Sequence, residues 1–271
     1  MLRRALAHLP PLIVAGLMLF PLVWMVSTAW KTPEQVFSGT FNLWPAPLTT
    51  SNYDAALTKL PLARWFLNSG IVTVASVVGA VLTSLLAGYA FARFSFPGRE
   101  LIFYAFLGTM LVPIHVVMIP NYLLLAEVGW LNSYQAIVIP HLASGFGIFL
   151  FRQHIRALPA NLLEAADIDG AGTWQCLWLV VVPNIQQVIA TLGVLFFIGT
   201  WNEYVWPLLV VKDRLMMTLP VGIQGFVSLE GGSQWGPFMA AVSLVVLPAL
   251  AAYLVAQRRL VETMLTSGIN A

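Results

Sequence analysis

The chain has 271 residues, 59% of them hydrophobic and only 9% charged, with a net charge of +2 and a mean hydropathy of +0.83. A soluble globular domain carries about 25% charged residues, so these charges are too few to cover a water-facing surface, and lipid must cover much of the chain. The small net charge, with no basic stripe interleaved with aromatics, gives no support to a nucleic-acid partner, and the single cysteine, Cys176, rules out an intrachain disulfide and a cysteine-type metal site.

A helix crossing the hydrocarbon core needs about 20 apolar residues at a rise of about 1.5 Å each. Six stretches qualify, at about 9–30, 67–91, 101–125, 134–151, 185–211 and 237–256. The short alternating segments of an outer-membrane barrel are missing. The first stretch follows Arg3 and Arg4, and Ser27-Thr28-Ala29 resembles a cleavage site. Its apolar run exceeds the roughly 7–15 residues of a signal peptide, so it reads as a span. The loop at 31–64, with Pro33, Pro45, Pro47 and Pro61, reads as an ordered extracytoplasmic segment holding at most short helices.

The second stretch carries two ridges of small residues, Ala75, Gly79, Thr83, Ala87 and Ser76, Ala80, Ser84, Gly88. Such ridges let helices approach closely in lipid. They fit either packing within the bundle or a face for a partner subunit. The third contains Pro113 and Pro120, which predict kinks, and His115 lies between them. A kink beside a wet pathway and a plain structural kink are equally open readings. The fourth is the shortest. The fifth holds Glu203, next to Asn202 and Tyr204. A carboxylate at membrane depth costs several kcal/mol unless it meets water or a partner. Glu203 is therefore a candidate for a polar pathway or gate, against the alternative that Trp201, Tyr204 and Trp206 form an interfacial aromatic belt around it.

Six spans put both termini on one side. If that side is cytoplasmic, Arg3, Arg4, Arg93, Arg99, Arg152, Arg156, Arg258 and Arg259 lie inside, and Lys31, Lys59, Arg64, Lys212 and Arg214 lie outside. The positive-inside rule then favours N-in, C-in. The expectation is an all-α membrane protein of six transmembrane helices. No repeat or linker divides it, so 1–271 is expected to be a single transmembrane domain. The four histidines are scattered without a His-Glu-x-x-His pattern, so no metal site is expected.

The inside segment between the fourth and fifth stretches, about 157–183, is patterned. Pro159 suits a first helical turn, and 161–168 holds good helix formers. Asp169-Gly170 signals a turn. Thr173 can cap a second helix. There Trp174, Leu177, Trp178 and Val181 recur at i, i+3, i+4 and i+7, predicting one apolar face, and Pro183 is expected to end it. The first helix presents Glu164 and Asp167 on one face. A solvated helix and a docking surface both fit that pattern.

Glu164-Ala165-Ala166-x3-Gly170, followed thirteen residues later by Pro183, resembles the EAA signature of bacterial ABC-importer permeases. Val180 and Val182 stand where the family has Ile and Leu. Further segments resemble the carbohydrate-uptake branch of that family. They are Phe66-Leu67-Asn68-Ser69, Arg93-Phe94-Ser95-Phe96-Pro97-Gly98, Trp201-Asn202-Glu203-Tyr204, Gly231-Gly232-Ser233-Gln234-Trp235-Gly236 and Gln257-Arg258-Arg259. Together they cover nearly the whole chain.

The resemblance implies a multi-pass component of the cytoplasmic (inner) membrane that forms half of a solute pathway. Its partners would be a second permease subunit, expected as a heterodimer, two ATPase subunits and an extracytoplasmic solute-binding protein. Carried over, Glu164 makes an ionic contact to the ATPase, and Ala165 and Ala166 allow close packing. Asp167, Asp169, Gly170 and Pro183 complete the coupling element. The tentative pathway residues are Asn202, Glu203, Tyr204 and His115. No Gly-x4-Gly-Lys-Ser/Thr loop occurs, so ATP and magnesium belong to the partner ATPase, and this chain is not expected to be an enzyme or to bind a cofactor. The solute is expected to be a sugar or oligosaccharide, with glycerol 3-phosphate or a related phosphodiester as the alternative. An ion-coupled secondary transporter would show internal repeats, and a membrane-embedded enzyme a nucleophile–base pair or metal cluster; neither feature is visible.

Overall fold

The computed structural model describes residues 2–227 and 233–269, with side chains described from 8 to 255 and at 257, outside that gap. Gly231 and Gly232, and the side chains of Arg3, Arg4, Arg258 and Arg259, lie outside the described residues. The main helices are α1 (Leu2–Ala29), α2 (Leu62–Arg93), α3 (Arg99–Thr109), α4 (Ile114–Glu127), α5 (Gly145–Arg156), α6 (Ala160–Ile168), α7 (Gln186–Trp201), α8 (Val205–Val210) and α9 (Trp235–Ile269). No strand occurs among the described residues.

Three helices are continuous, long and apolar enough to cross a membrane: His8–Ala29 within α1, α2, and Trp235–Val255 within α9. The three other expected spans are broken. α3 and α4 meet at 99°, Tyr134–His141 and α5 at 42°, and Thr173–Asn184 and α7 at 79°. Counted as bent spans, these raise the total to six. The break before α4 follows from chemistry. Pro113 is the N-cap of α4, extended at φ −59° and ψ 133°. It has no N–H to donate to a preceding turn, so a helix ends ahead of it. Pro120, by contrast, sits inside α4, where lipid-facing helices tolerate it. The sequence reading expected kinks at both prolines; only Pro113 marks a full break.

The chain divides into two compact units, Met1–Leu67 with Met217–Pro248, and Asn68–Met216 with Ala249–Ala271. In the first, the 31–64 loop is ordered, as expected, around two short helices, Pro33–Val36 and Ser51–Lys59. Thr32 caps the former, in a capping box with Gln35. The buried Asn52 amide donates to the carbonyls of Ala29 at 3.0 Å and Lys31 at 2.7 Å. The Ala29 carbonyl ends α1 and the Lys31 carbonyl lies just beyond it, so Asn52 closes the helix C-terminus onto the loop. Ser27, Thr28 and Ala29 are buried at that end.

In the second unit one core joins α2, α5, α6, the segment after α6, and α7. It includes Leu85, Tyr89, Phe151, Ile155, Leu163, Leu177, Val181 and Leu192. The small residues of α2 make this packing possible. A Cβ on Gly88 would lie 2.6 Å from Phe151 Cβ, and one on Gly147 of α5 would lie 2.5 Å from Ser84 Oγ. Thr83 Oγ1, on the other ridge, donates to the carbonyl of Leu142. At these positions the ridges serve packing within the chain. Asn68, fully buried, donates to the Leu215 carbonyl at 2.8 Å and accepts from the Tyr134 hydroxyl at 2.8 Å.

Candidate functional site

The 157–183 segment folds as a helix, a sharp turn and a second helical stretch. Pro159 is the N-cap of α6, and Asp169 its C-cap. Gly170 follows with φ 74°. Its N–H donates to Asp167 O at 3.2 Å, and the Ala171 N–H donates to Ala166 O at 2.9 Å. These 5→2 and 6→1 bonds form a Schellman motif. The left-handed conformation it requires is one that glycine alone adopts without steric cost.

The second stretch departs from expectation in three ways. Gly172, not Thr173, is its N-cap; Thr173 is the first helical residue. Cys176–Val181 is a π-helix, with the Val182 N–H reaching back five residues to Leu177 O. The wider turn changes which side chains share a face. Cys176, Leu177 and Val181 are buried, but Trp174 is 62% exposed and Trp178 43% exposed. The apolar face read at helical spacing is therefore split, with both tryptophans turned outward. Third, Pro183 does not end the helix, which runs on as Val182–Asn184 and breaks at Ile185. Pro183 can neither donate to the carbonyl four residues back nor avoid crowding it, and the widened turn lies directly before it. The Asn184 amide donates to Val180 O at 2.7 Å.

Within α6, Leu163 and Ala166 face the core at 7% exposure each. Glu164, Ala165, Asp167, Ile168, Asp169 and Gly170 are exposed. The two alanines thus differ: Ala166 packs within the chain, while Ala165 lies on the surface. The acids differ as well. Asp167 is held by Arg93 at the end of α2, whose Nη2 lies 3.3 and 3.2 Å from its two oxygens. This partly exposed pair contributes about 0–1 kcal/mol. Glu164 makes no ion pair or hydrogen bond with the described residues. Tyr89, one turn before Arg93, donates its hydroxyl to Thr173 O at 3.3 Å. The end of α2 therefore grips both arms of the loop.

An ion pair between a buried arginine and a half-exposed carboxylate supports the neighbouring helix. Arg152 of α5 donates from Nη2 to both oxygens of Glu100 at 2.7 and 2.8 Å, and its guanidinium lies 3.8 Å from the Phe103 ring centre. Its side chain is only 5% exposed. Removing Glu100 would leave the buried Arg152 guanidinium without its carboxylate partner. Neither the Arg93–Asp167 nor the Arg152–Glu100 pairing was legible in the sequence, because the partners lie 74 and 52 residues apart.

Asn202, Glu203 and Tyr204 sit in the gap between α7 and α8 rather than inside a continuous fifth span. Glu203 Oε1 accepts the Trp206 N–H at 3.2 Å, satisfying one free donor at the start of α8. Asn202 is exposed and donates to Ile198 O at 2.8 Å. Trp206 is buried and donates from Nε1 to Ala136 O at 3.0 Å, so it serves as an anchor. His115 is exposed on the first turn of α4, with no hydrogen bond joining it to this group. Among the described residues no three His, Cys, Asp or Glu converge as a metal site.

Residues 79–265 match the family described as the binding-protein-dependent transport system inner membrane component. The chain is 35% identical over 267 residues to the sn-glycerol-3-phosphate transport system permease protein UgpE of Yersinia pestis bv. Antiqua, covering 96% of this chain and 95% of that protein. It is 33% identical over 255 residues to the lactose transport system permease protein LacG of Rhizobium radiobacter, covering 94% and 92%. Its fold matches a chain of a bacterial ABC transporter that imports the acidic polysaccharide alginate, with a TM-score of 0.85, 24% identity and coverage of 95% and 96%.

Proposed function

This chain belongs to the family of binding-protein-dependent transport system inner membrane components, and we propose that it forms half of a sugar or oligosaccharide pathway driven by partner ATPases through the 157–183 loop. It is the permease subunit of an ABC importer. The observation that carries the coupling role is the contrast within α6. Asp167 is paired with Arg93, whereas Glu164 stands exposed without a partner among the described residues on a loop whose other face belongs to the membrane-domain core. A loop held so firmly on one side passes a push on the other side into α2, α5 and α7. Interiors packed at that density shift between discrete arrangements rather than deforming smoothly.

In this reading the six spans, bent ones included, run N-in and C-in, and 1–271 acts as one permease domain in the cytoplasmic membrane. Glu164 pairs with a basic residue of an ATPase subunit, and ATP and magnesium are bound there. Ala165, Asp169 and Gly170 present the turn to the same cleft, while Ala166, Asp167 and Pro183 shape the loop from within. A second permease chain completes the pathway, and a binding protein delivers the solute outside. Asn202, Glu203 and Tyr204 line the pathway where α7 breaks, with His115 on its flank. Glycerol 3-phosphate is the second reading of the solute, supported by the name of the 35% identical relative.

The test is Glu164→Lys in the reconstituted complex. Hydrolysis stimulated by the solute-loaded binding protein should fall to the unstimulated level while the subunits still co-purify. Unchanged stimulation would remove Glu164 from the contact.

A further inference from the structure

A cavity of about 530 Å³ lies within the first unit. Its walls include Trp24 and Thr28 of α1, Lys31, Gln35 and Phe41 of the following loop, and Trp235 at the start of α9. Small-molecule sites run about 300–1,000 Å³ and combine apolar or aromatic walls with a few polar groups. Phe41 stacks on Trp24 at 5.3 Å and 18°, and the outward surfaces of this aromatic pair give an apolar wall for the C–H face of a hydroxylated solute.

Lys31 is the unusual member of this lining. It is 3% exposed, and its ammonium lies 4.2 Å from the Trp24 ring centre. It makes no ion pair and no side-chain hydrogen bond with the described residues. The ring offsets part of the desolvation, but a buried ammonium still calls for a counter-charge, and burial pushes its pKa below the usual lysine value. Glu34, the acid nearest in sequence, is exposed and bonded to Thr32 instead. The buried hydroxyl of Thr28, on the same cavity, has no partner among the described residues either. Two buried polar groups, one of them cationic, therefore border one cavity without a hydrogen-bond or ion-pair partner among the described residues.

We propose that this cavity takes a solute bearing an anionic group, carboxylate or phosphate, with the acid seated against Lys31 and Thr28 and the hydroxylated body against Trp24 and Phe41. The proposal rests on the importer reading and narrows the solute to an acidic one.

The assembled importer, without its binding protein, is titrated by calorimetry with a glucuronate-containing disaccharide, with glycerol 3-phosphate and with a neutral disaccharide. At least one acidic probe should bind about tenfold or more tightly than the neutral one, the scale of one charge-assisted hydrogen bond. The tighter of the two acids identifies the group. Lys31→Met, which keeps the apolar stem, should erase that preference, and Lys31→Arg should retain it. Equal binding of all three probes, or a preference that survives Lys31→Met, overturns the proposal. So does acid-selective binding seen only with the binding protein present, because an acidic side chain of that protein would then be the occupant. Wild-type hydrolysis stimulated by the loaded binding protein is measured alongside. Its absence would count against the importer reading itself; its presence without any acid preference would count against this proposal alone.

Discussion

At the residue scale, environment separates side chains that look alike in sequence. Glu164 and Asp167 sit three apart on one short helix, yet Arg93 takes only the aspartate. Ala165 and Ala166 are adjacent, yet only the second is buried. Glu203 is the clearest case. Its carboxylate caps α8 through the Trp206 N–H, so the break in the helix supplies the polar partner that membrane depth would otherwise deny it. Glu203→Ala should lower stability by about 1 kcal/mol, the scale of a lost cap, and should reduce solute uptake by more than it reduces assembly. Glu203→Gln keeps an acceptor at the same reach and should hold the stability while losing the charge. Thermal unfolding in detergent together with uptake in proteoliposomes separates the two effects, and normal uptake by Glu203→Ala would leave the residue with a capping role only.

At the element scale, the coupling role proposed for the loop rests on a tight glycine turn and a packed inner face. The Schellman motif at Gly170 fixes the angle between α6 and the stretch that follows. Gly170→Ala forces a Cβ into a left-handed conformation at a cost of roughly 1–2 kcal/mol. It should weaken binding-protein-stimulated hydrolysis while leaving membrane insertion intact, as read by ATPase assay and membrane fractionation. The π-helix at Cys176–Val181 is the feature that helical periodicity could not anticipate. It adds a residue to the turn and places Trp174 and Trp178 on the outside, where a regular helix would have aligned them with Leu177 and Val181. The small residues of α2 show the reverse situation. Their spacing was legible, but only the fold shows that Gly88 meets Phe151 and Ser84 meets Gly147.

At the scale of the whole molecule, accessibility measures the proposed orientation. In a Cys176→Ser chain, Thr58→Cys lies on the exposed 31–64 loop and Arg156→Cys at the exposed end of α5. A membrane-impermeant maleimide should label the first in intact spheroplasts and the second only after permeabilisation; labelling in the opposite order would overturn N-in, C-in. The sequence by itself determined the solvent, since 9% charge cannot clothe a water-soluble surface. It also determined the position of the loop and its glycine turn, because hydropathy, proline and left-handed glycine act within a few residues of chain. Only the tertiary structure decided where three of the spans break, which acid Arg93 holds, which tryptophans face outward, and that Lys31 is buried beside a cavity. Those outcomes depend on partners far apart in the chain and on packing that no local pattern encodes.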